Sequence, residues 1–120
     1  MASPPGDKRI FLAERGNFNN GRASIRILKD GNALAEPFLT INNVDIRSER
    51  GLMSIAFPPD YAESGLFYLF WIPNGPDALN PSGKSGDIRI VEYRRSAANP
   101  NKALPGSARL VFTIPHSAWN

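Results

Sequence analysis

The chain has 120 residues and a formal net charge of +3, from 14 Lys and Arg against 11 Asp and Glu, and it contains no cysteine. A hydrophobic share of 42% with 21% charged residues is the balance of a folded domain and excludes a disordered chain, while the lack of cysteine excludes disulfides and thiolate metal sites. The small basic excess is spread out, densest at Arg94-Arg95, which argues against nucleic acid as a partner, and no apolar run approaches the ~20 residues of a membrane span.

Glycine and proline punctuate short apolar runs along the whole chain. The first expected strand is Ile10-Phe11-Leu12-Ala13. The second, Ser24-Ile25-Arg26-Ile27-Leu28, is closed by the turn signal Lys29-Asp30-Gly31. Residues 38–41 give a weaker third strand. Residues 52–57 give a fourth, stopped by Pro58-Pro59-Asp60. Residues 66–72 form an aromatic fifth, stopped by Pro73-Asn74-Gly75, followed by a sixth over 88–93 and a seventh over 110–114. No segment sustains a 3.6-residue period with a cap, and residues 96–100 offer one helical turn at most. The expected fold class is all-β, built of antiparallel strands.

The patterning within strands adds a layer arrangement. Leu110, Phe112 and Ile114 alternate with more neutral positions, as on a half-exposed strand. Residues 66–72 do not alternate, so that strand needs cover on both faces. Residues 88–93 also place apolar side chains on both faces. A sheet sandwiched between two others in this way is a propeller blade. Ser24-Ile25-Arg26-Ile27-Leu28-Lys29 returns 63 positions later as Asp87-Ile88-Arg89-Ile90-Val91-Glu92, a spacing that suits a propeller or solenoid. The chain holds about two blades: an incomplete first over 1–45, lacking its first strand, and a second over 46–120. Two blades alone leave apolar faces and unpaired edges open, since repeat arrays need at least ~3 units. The expectation is a part of something larger.

Three stretches carry a family resemblance. They are Pro5-Gly6-Asp7-Lys8-Arg9-Ile10-Phe11-Leu12-Ala13-Glu14 with the strand that follows it, Glu49-Arg50-Gly51-Leu52-Met53-Ser54-Ile55-Ala56-Phe57-Pro58-Pro59-Asp60-Tyr61, and Ile88-Arg89-Ile90-Val91-Glu92-Tyr93-Arg94. In order and spacing they resemble the first two blades of the soluble quinoprotein glucose/sorbosone dehydrogenases. The resemblance implies a β-propeller fragment from a six-bladed propeller. It also implies pyrroloquinoline quinone (PQQ) with a calcium ion in the full-length family, a sugar substrate, an external electron acceptor, and a periplasmic or secreted location. The start of the chain lacks the apolar core of a signal peptide. The family's catalytic histidine belongs to a His-Asn-Gly-Gly-like stretch beyond Asn120, as do the later calcium ligands. The chain alone is therefore expected to be inactive and to hold neither group stably. The alternative reading is a non-catalytic propeller that binds protein.

Individual residues follow from these readings. Glu49 stands in the loop entering the expected innermost strand of the second blade, where the resemblance implies a Glu or Gln near the cofactor. A solvated loop carboxylate is the competing reading. Arg50 reads as structural, and Gly51 as the tight entry into the strand. His116, the only histidine, follows Pro115 at the end of an outer strand and reads as a loop residue rather than a base. Asp7, Asp30 and Asp60 read as turn residues. Phe67, Tyr68, Phe70 and Trp71 read as core between blades.

Overall fold

The computed structural model describes residues 2–14, 21–47, 50–84 and 86–115. Eight strands and one short helix follow in the order β1 (Ile10–Glu14), β2 (Ala23–Lys29), β3 (Asn32–Ala33), β4 (Leu39–Ile41), β5 (Leu52–Ala56), α1 (Tyr61–Ser64), β6 (Leu66–Trp71), β7 (Ile88–Arg95) and β8 (Ala103–Ile114). They make two four-stranded sheets. In the first, β2 pairs with β1 on one side and with β3 and β4 on the other. The second has the order β5-β6-β7-β8, and every pairing is antiparallel. This is the all-β architecture of two propeller blades.

Each expected run is a strand, and local chemistry sets the boundaries. Asp30 and Gly31 both take positive φ, 52° and 80°, as a two-residue hairpin turn requires, and they set Lys29 opposite Asn32. The repeated Ile-Arg-Ile segments fall on β2 and β7, each flanked on both sides within its sheet. Ala2 bridges to Phe11 on the open side of β1, the side occupied in the second sheet by β5. Two elements escaped the pattern. β8 starts at Ala103, well before the expected 110, because Pro105 and Gly106 mask its strand character in sequence. The helical turn lies at Tyr61–Ser64, not at 96–100. Gly65 ends it at φ 70°, donating its N–H to the Tyr61 carbonyl at 2.8 Å.

The two sheets pack face to face. Phe11, Ile25, Ile27, Phe38 and Ile41 from the first meet Leu52, Ile55, Phe67, Leu69 and Trp71 from the second in one buried core. Aromatic rings form its centre. Phe11 meets Phe38 at 4.9 Å and Phe57 at 5.0 Å, both edge-on, and Phe38 meets Phe67 at 5.2 Å. Phe67 stacks on Tyr93 at 5.9 Å. Truncating a fully buried phenylalanine such as Phe67 to alanine costs about 3–5 kcal/mol.

Cover on both faces of β6 is not met among the described residues. Phe67, Leu69 and Trp71 are buried, but Leu66, Tyr68 and Phe70 on the other face are only half-buried. The same outer face shows Phe112, 59% exposed, and Ile114, 40% exposed, in register with Ile90 and Ile88. The reason is plain: the first sheet supplies one cover, and the described residues contain no third sheet. Tyr68 donates to Glu92 at 3.1 Å, and Arg109 donates to both oxygens of the same carboxylate, at 3.1 and 3.2 Å. Those polar contacts only partly relieve an apolar patch of the kind that drives association.

The double variant Phe112→Glu, Ile114→Lys is expected to shift size-exclusion light scattering toward monomer. Because both side chains are exposed, unfolding free energy should change by less than about 0.5 kcal/mol per site.

Candidate functional site

The segment between β4 and β5 carries the chain from the first sheet to the second. It is tied down by backbone bonds to both. Val44 N–H donates to the Gly21 carbonyl at 3.0 Å, and Asp45 N–H to the Ile72 carbonyl at 2.8 Å. Asn74 N–H donates to the Asn43 carbonyl at 2.9 Å, and Ile72 N–H to the Gly51 carbonyl at 3.2 Å. Asn43 sits at φ 63°, a left-handed position that asparagine tolerates better than most residues.

Inside this clamp lies a fully buried carboxylate. Asp45 Oδ2 accepts from Arg50 Nη1 at 2.7 Å and from Arg47 Nη2 at 2.8 Å. Its Oδ1 accepts from the Arg47 backbone N–H at 3.0 Å and from Arg47 Nε at 2.9 Å. Arg50 is buried with it, while the Arg47 side chain is 53% exposed. Hydrogen bonds from Arg47, joined by that from Arg50, hold the Asp45 carboxyl far below the usual carboxylate range despite burial.

A second ion pair lies beside it. Asp77 Oδ2 accepts from Arg89 Nη1 and from Asn43 Nδ2, each at 2.8 Å. Its Oδ1 accepts from the backbone N–H groups of Leu79 and Asn80. Burial works to raise the Asp77 carboxyl, but the bonds from Arg89 and Asn43 outweigh it and keep it lowered. The Arg89 guanidinium, 1% exposed, lies 5.6 Å from the Trp71 ring centre. Asn43 thus links the loop that carries Asp45 to the one that carries Asp77.

The residues singled out from sequence fall in different places. Glu49 lies outside the described residues, as do Ser48, His116 and Trp119. Arg50 is structural, as expected: it belongs to the buried ion pair. Gly51 takes φ 136°, a conformation that suits glycine, at the entry to β5. Asp7 and Asp30 hold turns, Asp7 accepting from the Arg9 N–H at 2.9 Å. Asp60 precedes α1 without a side-chain cap bond. Of the four aromatics, Phe67 and Trp71 are core, whereas Tyr68 and Phe70 face the open side. Sequence reasoning missed Asp45, Asp77 and the pairing of Arg89. An arginine inside the apolar run Ile88-Arg89-Ile90 was the available signal for a buried partner. Among the described residues, no three His, Cys, Asp or Glu side chains are grouped to hold a metal. Among them, too, no helix is long and apolar enough to cross a membrane.

No protein-family model matches the chain. Curated relatives do, the human and mouse Hedgehog-interacting proteins among them. The human Hedgehog-interacting protein is 30% identical over 122 residues, covering 95% of this chain and 16% of the relative. The mouse Hedgehog-interacting protein is 30% identical over 120 residues, covering 93% of this chain and again 16% of the relative. The chain therefore spans about a sixth of the length of these relatives. They overturn the resemblance to quinoprotein sugar dehydrogenases. With it go the dehydrogenase activity, the sugar substrate and the external electron acceptor. The physical reason lies in the stretch that carried the resemblance. Arg50 is spent on Asp45, Gly51 on a backbone turn, and Leu52 and Ile55 on the core. These residues serve the blade, not a reaction, so they fit any protein that builds this blade.

Asp45→Asn removes the buried charge that accepts from both Arg47 and Arg50 and should cost about 3–5 kcal/mol in urea unfolding. Acid should act through the same group. The folded carboxyl is depressed below its ordinary 3.8, so the unfolded chain takes up the proton first. The stabilisation is complete well above 3.8 and shrinks as pH falls through that value toward the folded one. Urea midpoints measured from pH 7 down to pH 3 should fall, and the fall should be shallower in Asp45→Asn.

Proposed function

We propose that this chain is part of a non-catalytic β-propeller that binds a protein ligand. The observation that carries this reading is the 30% identity to the human Hedgehog-interacting protein over 95% of the chain. The identity spans both sheets and the loop that joins them. Both relatives are named for interaction with Hedgehog, so a Hedgehog-type signalling protein is the first partner to test. The secreted location expected from sequence belongs to this proposal. The fold supports it physically: a propeller built on tied-down loops is a rigid platform, and rigid platforms bind with little ordering cost.

The test is surface plasmon resonance between the protein and an immobilised Hedgehog signalling domain, with the heat-denatured protein as control. Saturable binding with a dissociation constant of about 1 μM or tighter is expected for a specific partner. A flat response at tens of micromolar from folded protein, with the domain still binding another known partner on the same chip, would contradict it.

A further inference from the structure

The loop after β6 begins Pro73-Asn74-Gly75-Pro76 and closes on the segment that joins the two sheets. Pro73 bridges to Val44, and Asn74 N–H donates to the Asn43 carbonyl at 2.9 Å. The Asn74 side chain adds a bond of its own, from Nδ2 to the Val44 carbonyl at 3.2 Å. The residue is nonetheless exposed to solvent. An asparagine followed by glycine readily loses its side-chain amide, because no Cβ hinders the next backbone nitrogen from reaching the side-chain carbonyl carbon.

The structure separates Asn74 from the other described asparagines. The N–H that follows Asn43, on Val44, is donated to the Gly21 carbonyl at 3.0 Å. The one that follows Asn101, on Lys102, is donated to the Asn99 carbonyl at 3.1 Å. Asn80 and Asn99 each precede proline, which has no N–H. Asn32 and Asn42 precede residues that carry a Cβ. Gly75 N–H, by contrast, forms no hydrogen bond among the described residues, and a Cβ built on Gly75 would meet nothing within 4 Å. Asn43 Nδ2 holds the Gly75 carbonyl at 3.1 Å and leaves the nitrogen unengaged.

We propose that Asn74 is a site of spontaneous covalent modification, deamidation through a cyclic imide, and that the change loosens the crossing between the sheets. The Gly75 nitrogen gives its proton to solvent base and bonds to Asn74 Cγ. The Cγ–Nδ2 bond breaks, and Nδ2 leaves as ammonia with a proton taken from water. The imide then takes up a water at either carbonyl and opens to aspartate or isoaspartate. The step needs water alone as co-reactant. The product carries a carboxylate where Nδ2 donated, so the bond to Val44 is lost and negative charge faces its carbonyl. Val44 precedes Asp45 and donates to Gly21 of the first sheet's side, so the loss falls on the clamp itself.

Incubation of the folded protein at mildly alkaline pH, followed by peptide mapping with mass spectrometry, tests this, with a urea-unfolded sample alongside. Mapping separates the step from the other Asn-Gly pair, Asn20-Gly21. The fragment holding Asn74 should gain about 1 Da, within about tenfold of the rate in the unfolded chain and ahead of Asn32, Asn43 and Asn101. Gly75→Ala should slow the gain about tenfold. Gly75 lies outside the left-handed region and has room for a Cβ, so this variant should melt as the parent does. If it does not fold, the comparison of folded with unfolded parent decides alone. Asn74→Asp, which supplies the carboxylate directly, should lower the melting temperature by about 4 °C and speed amide exchange at Val44 and Asp45. Asn74 unchanged while the unfolded chain converts, or an equal rate in folded Gly75→Ala, would overturn the modification site. Melting and exchange in Asn74→Asp equal to the parent's would overturn its effect on the crossing.

Discussion

One buried carboxylate holds the arrangement of the two sheets. Asp45 sits on the segment that crosses from the first sheet to the second, and its oxygens accept from Arg47 and Arg50 while its own N–H donates to the carbonyl of Ile72, the residue after β6. A buried ion pair of this kind adds little net stability compared with apolar packing, but losing one partner is costly. Its value here is geometric. It fixes the approach to β5, and β5 carries Leu52 and Ile55 into the core against the first sheet. The rings of Phe11, Phe38, Phe57 and Phe67 meet across the same gap.

The periodicity of the strands was legible in the sequence because it follows directly from burial. Isoleucines 25 and 27 point into the core at a period of two, and Pro58 and Pro73 mark where pairing must stop. Asp30-Gly31 announced its turn through the backbone conformation that it alone permits cheaply. What remained hidden was long-range. Nothing local says that Asp45 meets Arg50 inside the protein, or that Asn43 and Arg89 converge on Asp77 from separate loops. The early start of β8 was hidden for a different reason: Pro105 and Gly106 are tolerated on an edge strand, where one side needs no pairing.

The stretch from Glu49 through Tyr61 is the most specific part of the resemblance to the quinoprotein dehydrogenases. In the structure Arg50 neutralises a buried aspartate, Gly51 turns the chain, and Tyr61 packs its ring on Phe57 at 4.8 Å. Those duties belong to a blade whatever the propeller does. Likeness to a fold's framework therefore carries no information about catalysis. Glu49, the residue that the resemblance places near a cofactor, lies outside the described residues.

A crossing clamped at Asp45 should weld the two sheets into one cooperative body. Native-state hydrogen exchange measures this directly. The amides of Asp45 and Ile72 should open with the same free energy as those of Ile25 and Leu69 in the two sheets, and all four should fall together as denaturant rises. Fast exchange at Asp45 and Ile72, with Ile25 and Leu69 protected to different extents, would show the crossing to be loose and the sheets to open separately.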